Sequence, residues 1–289
     1  MKKINAVLYL SLVLLGCDGN TDANRKKDVN ALISRSLSNM VEVNGGTFKM
    51  GDFGRLIGDG RPISMGGDNK QLHDVTLNDF SISKYKVTWE DYKVYAKFKN
   101  IPMPEVPYLY QGDEKKVQAE NMPAALNWQQ AKDYCQWLGE SSHRKIDLPT
   151  EAQWEYAARD GGKLVIYATN NGKYEPGKNL ASSKQRREMT DTIINYPVGK
   201  YPSTPLGLYD MAGNGVDWTQ DWYSENYYEV SPRENPEGPS SGTKKVIRGY
   251  QSGGDEYSNQ TVFRQYEDPA LGGSKEVLPY YNARCVVNK

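Results

Sequence analysis

The side chains that could act as nucleophiles, redox centres or soft metal ligands are few in this sequence. It contains three cysteines, Cys17, Cys135 and Cys285, and two histidines, His73 and His143. A thiolate can attack an electrophile or bind a soft metal, and an imidazole can transfer protons or bind a metal. These residues are far apart along the chain, and the sequence has neither a phosphate-binding loop nor a metalloprotease helix.

Two carboxylates offer a different chemistry. Glu151 and Glu155 are spaced one helical turn apart, and paired carboxylates can act as a general acid and base. We interpret the pair as structural. We also interpret His73, at the entry to a predicted strand, and His143, in a predicted turn, as hydrogen-bonding residues. A metal site built from His73, Asp74 and a distant partner is the alternative.

The N-terminus has the features of a targeting segment. Lys2 and Lys3 precede an apolar run over residues 6–15, which is shorter than an ordinary membrane-spanning helix. The run ends in L-L-G-C, so residues 1–17 are predicted to be a lipoprotein signal peptide in which the thiol of Cys17 accepts a lipid. An ordinary secretory signal with an incidental cysteine is the alternative. Asp18 directly follows this cysteine, a position at which aspartate resembles the enterobacterial signal for inner-membrane retention. We therefore expect a lipid-anchored protein on the periplasmic face of a bacterial membrane.

Composition limits the remaining classes. Lysines and arginines number 36, as do aspartates and glutamates, and this balance argues against a nucleic-acid partner. The 21 tyrosines and 6 tryptophans predict that much of the core packing is aromatic.

Two helices around a fixed turn form the best-defined local pattern. Asn127 is the predicted N-cap of the first helix, and Gly139 is its predicted end. Apolar residues recur at helical spacing between them. Thr150 is the predicted N-cap of the second helix, and Gly161-Gly162 is its predicted end.

The rest of the chain is organised around these helices. Residues 41–43 and 47–50 are predicted to form a hairpin turned at Gly45-Gly46, and residues 51–71 a loop. Strands are expected over residues 75–85, followed by a helix over 89–98 with Thr88 as its cap. Residues 18–40 are predicted to be a polar tether, either a solvated spacer or a short amphipathic helix that docks on the domain or on lipid. A single domain is expected over residues 41–289.

Several motifs resemble one family. Residues 128–137 read W-x-x-A-x-x-Y-C-x-W, and residues 148–162 read L-P-T-E-A-x-W-E-Y-A-A-R-x-G-G. G-L-Y-D-M-A-G-N follows at 207–214, D-W-T-Q-D-W at 217–222, and A-R-C at 283–285. Together these motifs resemble the formylglycine-generating enzyme (sulfatase-modifying factor) family over roughly residues 41–289. The resemblance implies an α+β, C-type-lectin-like fold with little regular secondary structure. It also implies a disulfide between Cys135 and Cys285, with two buried free thiols as the alternative.

The family's redox chemistry is missing from the sequence. The enzymes that this sequence resembles bind copper with a pair of cysteines, which follow shortly after an R-G-G-S segment. Residues 248–259 occupy that region here and contain no cysteine. Depending on the register, the pair becomes Gly254 and Asn259, or Gln251 and Glu256. An iron-dependent branch uses three histidines, and this chain has two. Formylglycine generation is therefore rejected, and neither copper nor iron is expected.

Two clusters resemble the family's structural calcium sites, since Ca²⁺ prefers mixed carboxylate, amide and carbonyl oxygens. The first comprises Asn179, Leu180, Asp191 and Ile193, and the second Asp210, Gly213, Gly215 and Asp217. The alternative is a pair of loops held by hydrogen bonds without metal.

A family fold without its redox centre favours binding over catalysis. The expected contact residues are the tyrosines of a loop-built face: Tyr108, Tyr110, Tyr227, Tyr228, Tyr250, Tyr257 and Tyr266. The resemblance extends to lipoproteins that accompany lipase or phospholipase toxins, so the first hypothesis is a catalytically inactive immunity protein that neutralises a secreted, type VI-like toxin. Two alternatives stay open, a metal-dependent oxidative enzyme of the periplasm and an envelope- or carbohydrate-binding module.

If either calcium site is occupied, Ca²⁺ should raise the melting temperature, because a ligand that binds only the folded state stabilises it. Thermal unfolding in calcium and in chelator measures this effect. Identical curves in the two conditions would contradict both calcium sites.

Overall fold

The computed structural model describes residues 18–190, 195–249, 256–271 and 275–289. Its helices are α1 (Asp18–Ser38), α2 (Trp89–Lys99), α3 (Glu114–Val117), α4 (Trp128–Ser142), α5 (Glu151–Ala158), α6 (Ser183–Thr190) and α7 (Tyr227–Val230). Its strands are β1 (Met40–Val43), β2 (Gly46–Met50), β3 (His73–Leu77), β4 (Phe80–Ser83), β5 (Ile146–Asp147), β6 (Val216–Trp222), β7 (Lys245–Gly249), β8 (Arg264–Glu267), β9 (Tyr281–Asn282) and β10 (Val286–Asn288). Short strands and long loops predominate, and the predicted α+β class is confirmed.

The strands of the described ranges form three sheets. One has the order β1-β4-β10-β5, a second pairs β2 with β3, and a third has the order β8-β7-β6-β9. The last strand of the chain, β10, lies inside the first sheet between β4 and β5. The two ends of the domain are therefore held in one sheet, and the third sheet lies against α5.

The predicted hairpin of residues 41–50 is wrong. The strand β1 pairs with β4, and β2 pairs with β3, so the two segments belong to different sheets. A Cβ at Gly45 would lie 2.1 Å from the carbonyl oxygen of Leu77, and the amide of Gly45 donates to the carboxylate of Asp79 at 2.8 Å. Gly45 thus lets the chain pass closely over the turn between β3 and β4 on its way from one sheet to the other.

The N-caps of three helices are confirmed. Thr88, Asn127 and Thr150 each accept a hydrogen bond from the third residue of α2, α4 and α5, and each forms a full capping box. The predicted end of α4 at Gly139 is wrong, because the helix continues to Ser142 and is capped by His143, whose φ is 54°. Gly139 has another role, since a Cβ there would lie 2.8 Å from the carbonyl oxygen of Arg144.

The helix α5 lies at the centre of the molecule. All of its residues are buried, including the carboxylates of Glu151 and Glu155. It ends at Ala158, before the glycines predicted to terminate it. Gly161 and Gly162 adopt φ values of 80° and 78° in the turn that follows. A Cβ at Gly162 would lie 2.4 Å from the Cβ of Phe48, so this turn packs directly against β2.

A disulfide joins α4 to the end of the chain. Cys135 and Cys285 are bonded across 150 residues of sequence, with their Cα atoms 5.6 Å apart. The predicted pairing is confirmed, and it attaches the segment before β10 to the aromatic core. That core packs Tyr92, Tyr134 and Trp137 against one another.

The segment predicted as a polar tether is the helix α1, and it docks on the domain. Leu32 is fully buried and Val29 is 8% exposed, both in the core that α2 and α4 form. Arg35 reaches across to α2 and pairs with Glu90 at 3.1 Å and Asp91 at 2.6 Å. Within the described ranges, no helix has the length and apolarity needed to cross a membrane.

Replacement of Leu32 tests the docking of α1. Leu32→Ala should lower the free energy of unfolding by about 2–4 kcal/mol, because it leaves a cavity in a packed core. Chemical denaturation of the purified protein measures the change. Lys26→Ala, at an exposed position of the same helix, should leave the free energy nearly unchanged. Equal, small effects of both variants would show that α1 does not dock in solution.

A buried acid lies at the N-terminus of α5. Asp221, which is 2% exposed, accepts a hydrogen bond from the amide of Glu151 at 2.8 Å. Burial, and after it the charge of Glu151, raise the pKa of Asp221 to about 7. An aspartate in an unfolded chain has a pKa of about 3.9. The stability that this acid contributes is therefore fully present below about pH 4 and is lost as the pH rises through about 7.

Asp221→Asn should remove this loss, because an amide keeps the hydrogen bond and cannot ionise. We expect the variant and the natural protein to have similar stability at pH 4. The advantage of the variant should grow to roughly 2–4 kcal/mol at pH 8. Denaturation across this pH range measures it, with Asp59→Asn on the surface as the control. A constant difference between variant and natural protein would refute the raised pKa.

Candidate functional site

A buried ion cluster lies beside α5. Arg248 of β7 pairs with Glu151 at 2.8 Å and with Glu155 at 2.9 Å, and Arg264 of β8 pairs with Glu151 at 2.8 Å. None of these side chains is more than 1% exposed. Although burial alone would raise it, Arg264 and Arg248 hold the pKa of Glu151 below its ordinary value. A general acid needs a pKa near the working pH, so these contacts are those of structural ion pairs.

Three segments meet above this cluster, two loops and a third loop that runs into β8, and we call their residues 52–71, 160–169 and 256–267 the loop face. The side-chain amide of Asn69 donates to the carbonyl of Val262 at 2.6 Å, which joins the first loop to the third. The amide of Thr261 donates to the carbonyl of Ile166 at 2.8 Å and joins the third loop to the second. Asp52 closes the first loop by pairing with Lys70 at 2.7 Å. Hydrogen bonds and ion pairs, rather than regular structure, therefore fix this surface.

Apolar and aromatic side chains stand exposed on the loop face. Met65 is 81% exposed, Tyr257 54% and Tyr266 49%. The ring of Tyr266 lies 3.9 Å from that of Tyr223, and the guanidinium of Arg264 lies 4.8 Å from Tyr223 on the buried side. Tyr266 is thus an exposed aromatic side chain that is already held in place.

Three of the tyrosines predicted as contacts are buried, and for them the prediction is wrong. Tyr228 donates to Glu151 at 3.0 Å, inside the ion cluster. The hydroxyl of Tyr227 accepts from the amide of Gly238 at 3.0 Å, and Tyr110 packs against Val117. Each of these three rings is part of the buried core and is not available to a partner.

The remaining predicted tyrosines divide between the surface and the part of the chain outside the described residues. Tyr257 and Tyr266 belong to the loop face. Tyr108 is 76% exposed beside Leu109, and its amide donates to Glu276 at 3.4 Å, away from the three loops. Tyr250 lies outside the described residues.

Two of the four positions that could replace the family's cysteine pair, Glu256 and Asn259, belong to the third loop. Gln251 and Gly254 lie outside the described residues. Glu256 accepts a hydrogen bond from the hydroxyl of Tyr167 at 2.8 Å, and Asn259 is buried. Glu256 and Asn259 belong to different registers, so in each register the one described position holds a residue with an oxygen acceptor in place of a cysteine.

The histidines occupy separate structural positions. One ring nitrogen of His73 lies 3.1 Å from the carbonyl oxygen of Gln71, and its ring lies 4.8 Å from that of Tyr228. His143 ends α4. Asp74, the acid beside His73, pairs with Lys49 at 2.9 Å. No group of three or more histidine, cysteine, aspartate or glutamate side chains in the described ranges is arranged to hold a metal.

The first predicted calcium loop is described only in part. Asn179 accepts from the amide of Glu175 at 3.1 Å, and its side-chain amide donates to Asn171 at 3.1 Å and to the carbonyl of Lys173 at 3.0 Å. Leu180 is buried, and its carbonyl accepts from Gly177 at 2.7 Å. Asp191 and Ile193 lie outside the described residues, so calcium at this loop stays a prediction.

The second predicted calcium loop does not fit the ion. Asp217 accepts from Lys86 at 2.8 Å, from Arg284 at 2.8 Å and from the indole of Trp154 at 3.0 Å. Ca²⁺ needs six to eight oxygen ligands, and both oxygens of this carboxylate already receive hydrogen bonds from cationic or indole N–H groups.

The other residues of that loop stabilise or permit its backbone conformation. Asp210 accepts from the amide of Gly199 at 2.9 Å. Gly213 and Gly215 adopt φ values of 75° and 87°, and a Cβ at Gly215 would lie 2.2 Å from the side-chain oxygen of Asn282. These glycines permit a tight loop against β9.

Sequence reasoning missed the cations that neutralise these acids. Lys86, Arg248, Arg264 and Arg284 are all buried. A signal was present for two of them, because Lys86 stands between Tyr85 and Val87 and Arg284 between Ala283 and Cys285. This pattern draws attention to the two cations, but apolar and charged residues also alternate in a half-exposed strand, so it does not by itself separate a buried cation from an exposed one.

Comparisons with known proteins agree with this geometry. A family model described as a sulfatase-modifying factor enzyme 1-like domain matches residues 26–275, and its match begins within α1. Serine/threonine-protein kinase Pkn1 of Chlamydia trachomatis serovar L2 is 33% identical over 228 residues, which cover 74% of this chain and 33% of the kinase. The chain therefore spans about a third of that relative's length, and the likeness concerns one domain of it.

Two further comparisons extend the likeness. Inactive C-alpha-formylglycine-generating enzyme 2 of Bos taurus is 27% identical over 229 residues, covering 64% of this chain and 71% of that protein. The solved structure of PvdO from Pseudomonas aeruginosa superposes with a TM-score of 0.69 at 23% identity, covering 86% of this chain and 94% of that one. Because the family model spans most of the chain and the fold is shared, this chain belongs to the sulfatase-modifying factor enzyme 1-like domain family.

Proposed function

We propose that this chain is a lipid-anchored, periplasmic member of the family that lacks formylglycine-generating activity and binds and neutralises a protein partner. The partner class is a secreted, type VI-like lipase or phospholipase toxin, which would make the chain an immunity protein. The observation that carries the proposal is the use of its three cysteines. Cys135 and Cys285 are joined to each other, and Cys17 belongs to the predicted signal. No cysteine remains to form a copper-binding pair.

The loop face supports the binding part of this proposal. Tyr257 and Tyr266 expose rings that are large, amphipathic and carried on a short helical turn and on β8. Aromatic side chains of this kind contribute strongly to protein interfaces, and side chains already held in place lose less freedom on binding. The stacking of Tyr266 on Tyr223 provides that restraint.

Two considerations support the biological setting. A lipid anchor at Cys17 would concentrate an inhibitor at the membrane on which a lipase acts. One relative carries the word "inactive" in its name, so loss of the family's chemistry has a parallel. The toxin class itself rests on analogy with family-like lipoproteins that accompany such toxins.

The double variant Tyr257→Ala/Tyr266→Ala should weaken partner binding by roughly thirty-fold or more, because each ring is expected to contribute as a hot spot. The protein without residues 1–17 captures the partner from periplasmic extract, and titration of the partner's lipase activity on vesicles measures the affinity. Val230→Ala, which alters another exposed apolar side chain (76% exposed), should leave the affinity unchanged.

Two results would overturn the proposal. One is the absence of any captured partner together with no protection against a lipase-type toxin encoded beside this gene. The other is copper or iron bound in stoichiometric amount to the purified protein, which would favour the oxidative enzyme. Elemental analysis of the same preparation gives that second answer.

A further inference from the structure

The carboxylate of Asp217 is enclosed by donors from three separate parts of the chain. Lys86 follows β4, Trp154 belongs to α5, and Arg284 lies between β9 and β10. Lys86 donates to one oxygen of Asp217, and Trp154 and Arg284 donate to the other. The side chains of Lys86, Asp217 and Arg284 are at most 1% exposed. These contacts are therefore shielded from bulk solvent.

The loop from Asp210 to Asp217 depends on the same two cations, Lys86 and Arg284. The guanidinium of Arg284 also donates to the carbonyl of Tyr209 at 3.0 Å, next to Asp210. Lys86 and Arg284 together balance the charges of Asp210 and Asp217. A divalent ion added here would leave two excess positive charges among side chains that are at most 1% exposed, which is strongly unfavourable.

Side-chain amides fix the rest of the loop. Asn214 accepts from the amide of Tyr196 at 2.8 Å and donates to its carbonyl at 3.0 Å. Asn195 donates to the side chain of Asn282 at 2.9 Å, and Asn282 donates to the carbonyl of Ala124 at 3.0 Å. The loop is thus hydrogen-bonded through Asn214 to the segment of Tyr196, and Asn195 and Asn282 tie that segment to β9 and to Ala124.

We propose that the ammonium of Lys86 supplies the positive charge that a calcium ion would supply at this loop, so that the segment from Asp210 to Asp217 is locked without metal and does not bind Ca²⁺. A lysine ammonium is a compact cation that donates up to three hydrogen bonds. It therefore satisfies the carboxylate and needs none of the loop carbonyls as ligands. The proposal is independent of the partner and concerns the stability of the fold when calcium varies.

Lys86→Met removes the charge and keeps the length of the side chain, and it should open a calcium site. Calcium binding by equilibrium dialysis should show one more bound ion per chain in the variant than in the natural protein. In chelator the variant should melt lower than the natural protein, and saturating calcium should raise its melting temperature by roughly 5 °C or more relative to any rise in the natural protein. Terbium offers a local probe, because the indole of Trp154 lies beside Asp217 and can sensitise its emission.

Lys97→Met is the matched control, since the side chain of Lys97 is 67% exposed. It should bind the same number of ions as the natural protein. The proposal would be overturned if Lys97→Met also gained an ion, or if Lys86→Met gained none.

A crystal structure of the natural protein grown in calcium decides the question even if Lys86→Met does not fold. Density for Lys86 on Asp217, without an ion, supports the proposal. A calcium ion on Asp217 with Lys86 displaced refutes it. A calcium ion bound near Asn179, with none on Asp217 and Lys86 in place, would also agree with the proposal.

Discussion

Glu151 and Glu155 of α5 are both buried in the protein, and their burial is the constraint on which the rest of the structure depends. A helix buried on every side cannot place two carboxylates in solvent, so each must meet a cation within the protein. Arg248 and Arg264 supply those charges from β7 and β8. The third sheet is therefore positioned against α5 by electrostatics as well as by apolar contact.

The same constraint explains why a surface with little regular structure is well ordered. Arg264 belongs to the third segment of the loop face and lies 3.5 Å from Asp68 in the first loop, and Arg248 donates to the carbonyl of Thr261 in the third. Removal of one partner from a buried ion pair typically costs about 3–5 kcal/mol. The geometry of the exposed tyrosines is therefore coupled to the charge balance beneath them.

Asp217 presents a second solution of the same problem beside the same helix. The indole of Trp154 links the two regions, because Trp154 projects from the same helix that carries the glutamates. The disulfide and α1 act further out, where they attach the two ends of the domain to α2 and α4. A chain with many loops is thus held by a few long-range links.

Local patterns in the sequence identified what depends on near neighbours. The capping residues Thr88, Asn127 and Thr150 act within one helical turn, so their roles follow from the sequence alone. The motif resemblance supplied the fold class and the pairing of Cys135 with Cys285. The absence of cysteine around residues 248–259 is likewise a property of the sequence.

Tertiary structure decided what depends on distant neighbours. No local pattern encodes the close approaches that place β1 and β2 in different sheets and keep Gly139 inside α4. The same holds for the burial of three tyrosines, Tyr110, Tyr227 and Tyr228. The contacts of Asp217 are the clearest case. In sequence it lies among residues similar to calcium ligands, but its cationic partners are Lys86 and Arg284. A carboxylate's role depends on the nearest charge in space, and only the folded chain brings that charge near.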